Sequence, residues 1–188
     1  MEVVQEALYC MHYKVIDFWF AEIKPSQRWA KDEAFDRLIA NRFGELHRQA
    51  SDCELYHWRE TALGRLAEII ILDQFSRNMH RDTPRAFACD PLALALAQEA
   101  VAGGFDSELN PDQKSFLYMP YMHSESRQIH AQAEPLFESL GIESTLKFER
   151  KHRAIIERFG RYPHRNRILG RVSSAEEEAF LKLPGSGF

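Results

Sequence analysis

Apolar residues return at intervals of three and four along almost the whole chain, a spacing that suits helices and leaves little room for a sheet. Leu8, Met11, Val15, Phe18 and Trp19 form one such stripe, and Phe35, Leu38, Ile39, Phe43 and Leu46 a second. Ile129, Ala133, Leu136, Phe137 and Leu140 form a third, and His152, Ile155, Ile156 and Phe159 a fourth. Two tracts, Leu66–Phe75 and Leu92–Val101, are apolar nearly all round, the pattern of helices buried on every side. No alternating run is bounded by hairpin turns, so the fold class expected is all-α. Eight or nine helices, stacked as antiparallel helical hairpins, would account for the pattern.

The punctuation agrees. Asp90-Pro91 and Asn110-Pro111 each set a capping side chain before a proline at a first helical position, and Ser173/Glu176 or Ser174/Glu177 makes a capping box. Gly103-Gly104, Gly141 and Gly160 stand where helix ends need a left-handed residue. Pro120 and Pro135 are expected to break or kink their helices. No linker divides the 188 residues, so one helical domain is expected over 1–188, with 184–188 as a frayed tail.

Three scattered cysteines, Cys10, Cys53 and Cys89, suit a reducing cytoplasm and offer no disulfide or Cys-based zinc scaffold. The N-terminus lacks the basic segment of a secretory signal, and no apolar run approaches the ~20 residues that span a bilayer, so a cytoplasmic location without membrane contact is expected. Charge is distributed unevenly. Between Lys147 and Arg171 nine basic residues face only Glu149 and Glu157, a net +7 in a chain of −4, which leaves −11 on the rest. An acidic body folding onto a basic segment explains this, and so does an external anion held by arginine forks. A pI near 6.1 argues against a nucleic-acid partner.

Three polar stretches stand out. In Leu66–Arg81, residues Leu66, Ile70, Asp73 and Arg77 share a helical face that His80 extends, and Asp73 precedes Arg77 by the four residues of an intrahelical ion pair. Polar groups on so buried a helix must either lock neighbouring helices together or line a cavity; these groups are Asp73, Gln74, Arg77 and Asn78. Phe159–Arg171 is expected to be an ordered loop between Gly160 and the next helix, presenting Arg161, His164, Arg165 and Asn166. Those side chains would either bond helix-terminal carbonyls or form an anion pocket with His164 as its titratable member. In Tyr118–Ser126, His123, Ser124 and Glu125 follow Pro120, and Ser124 or Glu125 is expected to cap the next helix.

Metal-binding and nucleotide-binding signals are poor. Neither H-E-x-x-H, nor a P-loop, nor G-x-G-x-x-G occurs. Glu54-x-x-His57 and Glu149-x-x-His152 have the spacing of helical di-iron sites, but in a chain this rich in Glu such pairs arise by chance. No metal and no cofactor are expected.

The chain resembles a widespread, mostly bacterial family, domain of unknown function nine hundred and twenty-four. Its marks here are Leu72-Asp73-Gln74-Phe75-Ser76-Arg77-Asn78, Met119-Pro120-Tyr121-Met122-His123-Ser124-Glu125, and Arg158-Phe159-Gly160-Arg161-Tyr162-Pro163-His164-Arg165-Asn166 with Leu169-Gly170-Arg171. Three boxes in order over nearly the whole chain make the resemblance specific, and it implies that residues 1–12 are an N-terminal extension. Departures from the family pattern are small: Ser76 stands where Pro is usual, Ser126 where an acidic residue is, and Tyr162 where Phe is commoner. The resemblance implies an all-helical fold similar to tetratricopeptide-like superhelices, and it carries over no reaction.

The site residues expected are therefore Asp73, Arg77, Asn78, His123, Glu125, Arg161, His164, Arg165 and Asn166, converging from three boxes on one polar pocket for a small anionic ligand or peptide. Two alternatives stand beside it. One is an enzyme using His123 or His164 as general acid–base with Asp73 or Glu125. The other is a scaffold whose polar boxes only fix helix packing. Oligomeric state is left open.

Overall fold

The structure, a computed structural model, describes residues 11–187. Leu8 of the first stripe, Cys10, most of the expected N-terminal extension and the last residue of the expected tail lie outside the described residues. Within them the chain is all-α, with no strand.

Helix α1 runs over 11–17 of the described residues and passes into a π-helical turn, Phe18–Glu22. Helix α2 is Glu33–Ser51, started by Asp32, whose carboxylate accepts the Ala34 and Phe35 N–H groups. Helix α3 (Ala62–Ile70) continues through a second π-helical turn, Ile71–Phe75, into α4 (Ser76–Met79). Helices α5 (Asp90–Ala102), α6 (Pro111–Met122), α7 (Arg127–Ser139), α8 (Glu143–Phe159) and α9 (Ala175–Leu181) complete the order. Residues 123–126 and 140–142 are the short links that set α6 against α7 and α7 against α8.

The rod formed by α3, its π turn and α4 is the centre of the core. Every residue from Leu66 to Phe75 is buried, as a tract apolar nearly all round predicts, and the burial includes Glu68, Asp73 and Gln74. Phe75 meets the rings of Phe18, Trp19 and Phe43 at centroid distances of 6.0, 5.6 and 5.0 Å, and Trp19 reaches on to Phe116 of α6 at 5.6 Å. Such aromatic pairs contribute about 0.5–1.5 kcal/mol each beyond the area they bury. Gly64 lets α3 start against the preceding turn: a Cβ there would lie 2.0 Å from the Trp58 carbonyl oxygen.

Several expectations are corrected. Leu92–Val101 is buried on one face only, since α5 lies at the rim, with Ala95 and Glu99 exposed. Leu38 of the second stripe is also exposed, at 47%. Pro120 and Pro135 break nothing: α6 and α7 run through them. A mid-helix proline costs about 3 kcal/mol. In α6 this is offset by burial of every residue from Ser115 to Met122 against α3, α5, α7 and α8. Pro135 lies on the exposed face of α7, where the carbonyl it leaves unbonded, that of Ala131, is open to solvent. His80 ends α4 and packs on the ring of His47 in α2, 5.2 Å away, instead of extending the Asp73–Arg77 line.

The capping box at Ser174/Glu177 and the Asn110 cap with Gln113 form as the sequence indicates. Asp90 does not cap: it is the first residue of α5, and its carboxylate is drawn elsewhere.

Candidate functional site

Asp73 sits in the π-helical turn of the central rod, 1% exposed. A buried carboxylate must be compensated, and three groups do so. Arg77 approaches Asp73 Oδ1 at 3.0 Å, His123 Nδ1–H donates to the same oxygen at 2.7 Å, and Gln74 Nε2 donates to Oδ2 at 2.6 Å. Burial pushes the Asp73 carboxyl up, but Arg77, His123 and the hydrogen bonds outweigh it and hold the group well below the usual carboxylate range. The intrahelical pair expected from sequence thus exists, and it reaches across to the C-terminus of α6.

Arg77 also forks onto Asp90, at 2.9 and 3.0 Å. Arg165 joins the same carboxylate from the loop after α8, with Nη1 to Asp90 Oδ2 at 3.3 Å. Its guanidinium is 4.6 Å from the ring centres of both Phe87 and Tyr162, and the residue is only 6% exposed. Its Nε–H has no hydrogen-bond partner among the described residues. Burial lowers the Arg165 pKa, with Asp90 acting against it.

The end of α6 is held by side chains from elsewhere. Tyr162 donates its hydroxyl to Met122 O at 2.5 Å, Arg165 Nη2 donates to His123 O at 3.0 Å, and His130 Nε2–H donates to Ser124 O at 2.9 Å. Three consecutive carbonyls that α6 cannot satisfy itself are thereby capped from α7 and the 160–174 loop. Behind His130 stands Glu149, 0% exposed, with Oε1 hydrogen-bonded to Nδ1 at 2.7 Å; burial raises the Glu149 pKa despite the histidine.

His164 lies beside Tyr162, ring centroids 5.5 Å apart, and burial followed by the Arg165 charge brings its pKa down to about 4. His152 is pushed down to about 3, chiefly by burial, and its ring stands 6.4 Å from His123 and 5.7 Å from Tyr162. His123 is also lowered, by burial and then by Arg77, against the pull of Asp73.

Of the nine residues expected, Asp73, Arg77, His123 and Arg165 form one hydrogen-bonded and ion-paired cluster, with His164 beside it. Glu125 borders it, accepting the Tyr162 N–H at 2.7 Å and forking with Arg171 at 2.7 and 2.9 Å; it caps no helix, and neither does Ser124. Three residues go elsewhere. Asn78 donates to Asp36 of α2 at 2.8 Å. Arg161 forks onto Glu177 of α9 at 2.7 and 2.8 Å and donates to Val172 O. Asn166 donates to Ser173 Oγ within its own loop. In each case a partner outside the cluster takes the side chain.

The sequence reading missed Asp90, which it took for a cap, and Phe87, Tyr162, His130, Glu149 and Arg171. Asp90-Pro91 carries the signal of any helix start, so nothing local marked its carboxylate for two distant arginines. The +7 segment is largely answered internally: Arg150 and Arg153 meet Glu134, Arg158 meets Glu176, Arg161 meets Glu177, Arg165 meets Asp90 and Arg171 meets Glu125. Both readings of the loop arginines apply, since Arg165 binds a helix-terminal carbonyl and also belongs to the cluster.

Glu149 and His152 do not make a metal pair, their contacts running to His130 and to the Phe148 carbonyl. Among the described residues no group of three or more His, Cys, Asp or Glu is placed to hold a metal ion. A Ser–His nucleophile is likewise missing at Ser76: its hydroxyl donates to Leu72 O at 2.6 Å, so His47 Nε2–H, 2.7 Å away, serves it as donor. No described helix is long and apolar enough to cross a membrane.

Residues 15–185 match the profile of a family described as bacterial protein of unknown function (DUF924). The chain is similar to a solved protein of unknown function from Agrobacterium tumefaciens, with 39% identity and a TM-score of 0.88, over 92% of this chain and 97% of that one. No curated protein matches the sequence.

Proposed function

Because the chain belongs to this bacterial family of unknown function, its sites speak through their geometry, and we propose that it binds a small molecule carrying a carboxylate or phosphate group beside Arg77, Arg165 and His123. One observation carries the reading: Arg165, a residue 94% withdrawn from solvent, keeps its Nε–H without a partner among the described residues. A buried donor left unmade costs about 1–3 kcal/mol, and proteins accept that cost chiefly where something else supplies the acceptor. Arg77 stands on the other side of the shared Asp90 carboxylate, its side chain 21% exposed. Formal charges in the cluster balance, with Asp73, Asp90 and Glu125 against Arg77, Arg165 and Arg171. The anion would therefore be held by directed donors, which favours a small planar or tetrahedral group over a polyanion.

The test is thermal unfolding with inorganic phosphate or succinate added. A ligand at ten times its Kd stabilises by about 1.4 kcal/mol, a rise in Tm of about 3–6 °C for a chain of this size. Arg165→Lys keeps the charge but removes the fork, and is expected to abolish most of the shift. Wild-type protein whose Tm is unmoved by either anion, or an equal shift in Arg165→Lys, overturns the reading.

A further inference from the structure

The cluster contains a histidine arranged as a base. The Asp73 carboxylate accepts only, so the proton between it and His123 belongs to Nδ1, and in the neutral ring the lone pair lies on Nε2. No partner among the described residues bonds that nitrogen, and the side chain is 16% exposed. His130 contrasts with it, since both its nitrogens are engaged, with Glu149 and Ser124 O. His123 is also fixed at its backbone, by the three donors that grip the Met122, His123 and Ser124 carbonyls. A ring oriented by a buried carboxylate, with its other nitrogen open and guanidinium donors beside it, is the arrangement general-base catalysis needs.

We propose that His123, oriented by Asp73, activates a water molecule for hydrolysis of an ester or comparable acyl bond in a small molecule whose separate anionic group is held as in the binding reading, on which this inference rests. His123 Nε2 takes one proton from water as the water oxygen bonds to the acyl carbon. The carbonyl π electrons move to oxygen, beside the arginine donors, and return as the bond to the leaving oxygen breaks. The proton on Nε2 then passes to the leaving oxygen, so the products are an acid and an alcohol and His123 is neutral again. The groups that set the charge of His123 are Asp73 and Arg77 on the central rod, Asp90 on α5, His152 on α8, and His164 and Arg165 on the following loop. Their balance lowers its basicity, so the ring is neutral near pH 7 with the Nε2 lone pair available.

The probes are the mono-4-nitrophenyl ester of succinate, 4-nitrophenyl acetate as its neutral counterpart, and succinate itself as a ligand that cannot be cleaved. Wild type is expected to release 4-nitrophenolate from the anionic ester, with kcat rising with pH to a plateau as His123 loses its proton. His123→Gln should lower kcat by about 10²–10⁴-fold. Asp73→Asn, which keeps the shape of the positioning residue, should lower kcat and displace the pH profile with little change in KM. Arg165→Lys should raise KM for the anionic ester more than for the acetate. Equal rates in wild type and His123→Gln, with both folded by circular dichroism, overturn the proposal. A thermal shift with succinate but no ester turnover also overturns it and leaves binding standing. Turnover that depends on His123 but not on Arg165, without a succinate shift, supports the base and overturns the anion site.

Discussion

At the scale of the residue, Asp73 shows how one buried group organises many. It is 1% exposed and meets Arg77, His123 and Gln74, each from a different direction. Taking away one member of a buried charged set costs more than the set contributes, because the others are left uncompensated. Asp73→Ala is therefore expected to lower stability by about 3–5 kcal/mol in urea unfolding. A loss below about 1 kcal/mol would mean that Arg77 and His123 are served well enough without it. A purely structural role for the polar boxes predicts the same loss, so the ligand responses of Arg165→Lys and His123→Gln separate function from packing.

Among the elements, the central rod does the positioning. Its π-helical turn, Ile71–Phe75, holds the site carboxylate, and extra-residue turns of this kind occur often at functional sites. The rod can sit there only because α3 starts tight against the turn before it, with Gly64 under the Trp58 carbonyl. Added volume cannot be absorbed by backbone atoms as it can by a flexible side-chain tip. Gly64→Ala is expected to destabilise by about 1–3 kcal/mol, or to prevent soluble expression, whereas a thermal scan indistinguishable from wild type would show that the rod can shift. Gly160, at φ +70°, is the other glycine the site requires, since it ends α8 in the left-handed region and releases the loop that bears Tyr162 and Arg165.

For the whole molecule, several buried or half-buried histidines have lowered pKa values: His47 and His164 at about 4 and His152 at about 3, against 6.5 for the exposed side chain. Between those limits the unfolded chain binds protons that the folded chain refuses, so stability falls as pH falls from about 6.5 toward 4. Each such histidine contributes a slope of up to about 1.4 kcal/mol per pH unit in that window. Tm is expected to be level above pH 7 and to drop steeply between pH 6 and 4.5. The carboxylates held low, Asp73 among them, stay ionised through this window and add their loss only at lower pH. A Tm unchanged between pH 7 and 5 would show that these rings gain protons without unfolding the chain.

The all-α class, the helix starts at Asn110 and Ser174, the buried run Leu66–Phe75 and the Asp73–Arg77 pair were legible in the sequence, because each depends on residues within a few positions of one another. The assignment of polar side chains to partners was not. Asp90 faces Arg77 and Arg165, thirteen and seventy-five positions away, while Asn78, Arg161 and Asn166 turn from the cluster to other partners. Hydrogen bonding is short-ranged and directional, so which acceptor a donor takes is decided by the packing of helices that bring the two within reach. Periodicity specifies the face a helix buries; only the tertiary structure decides what that face meets.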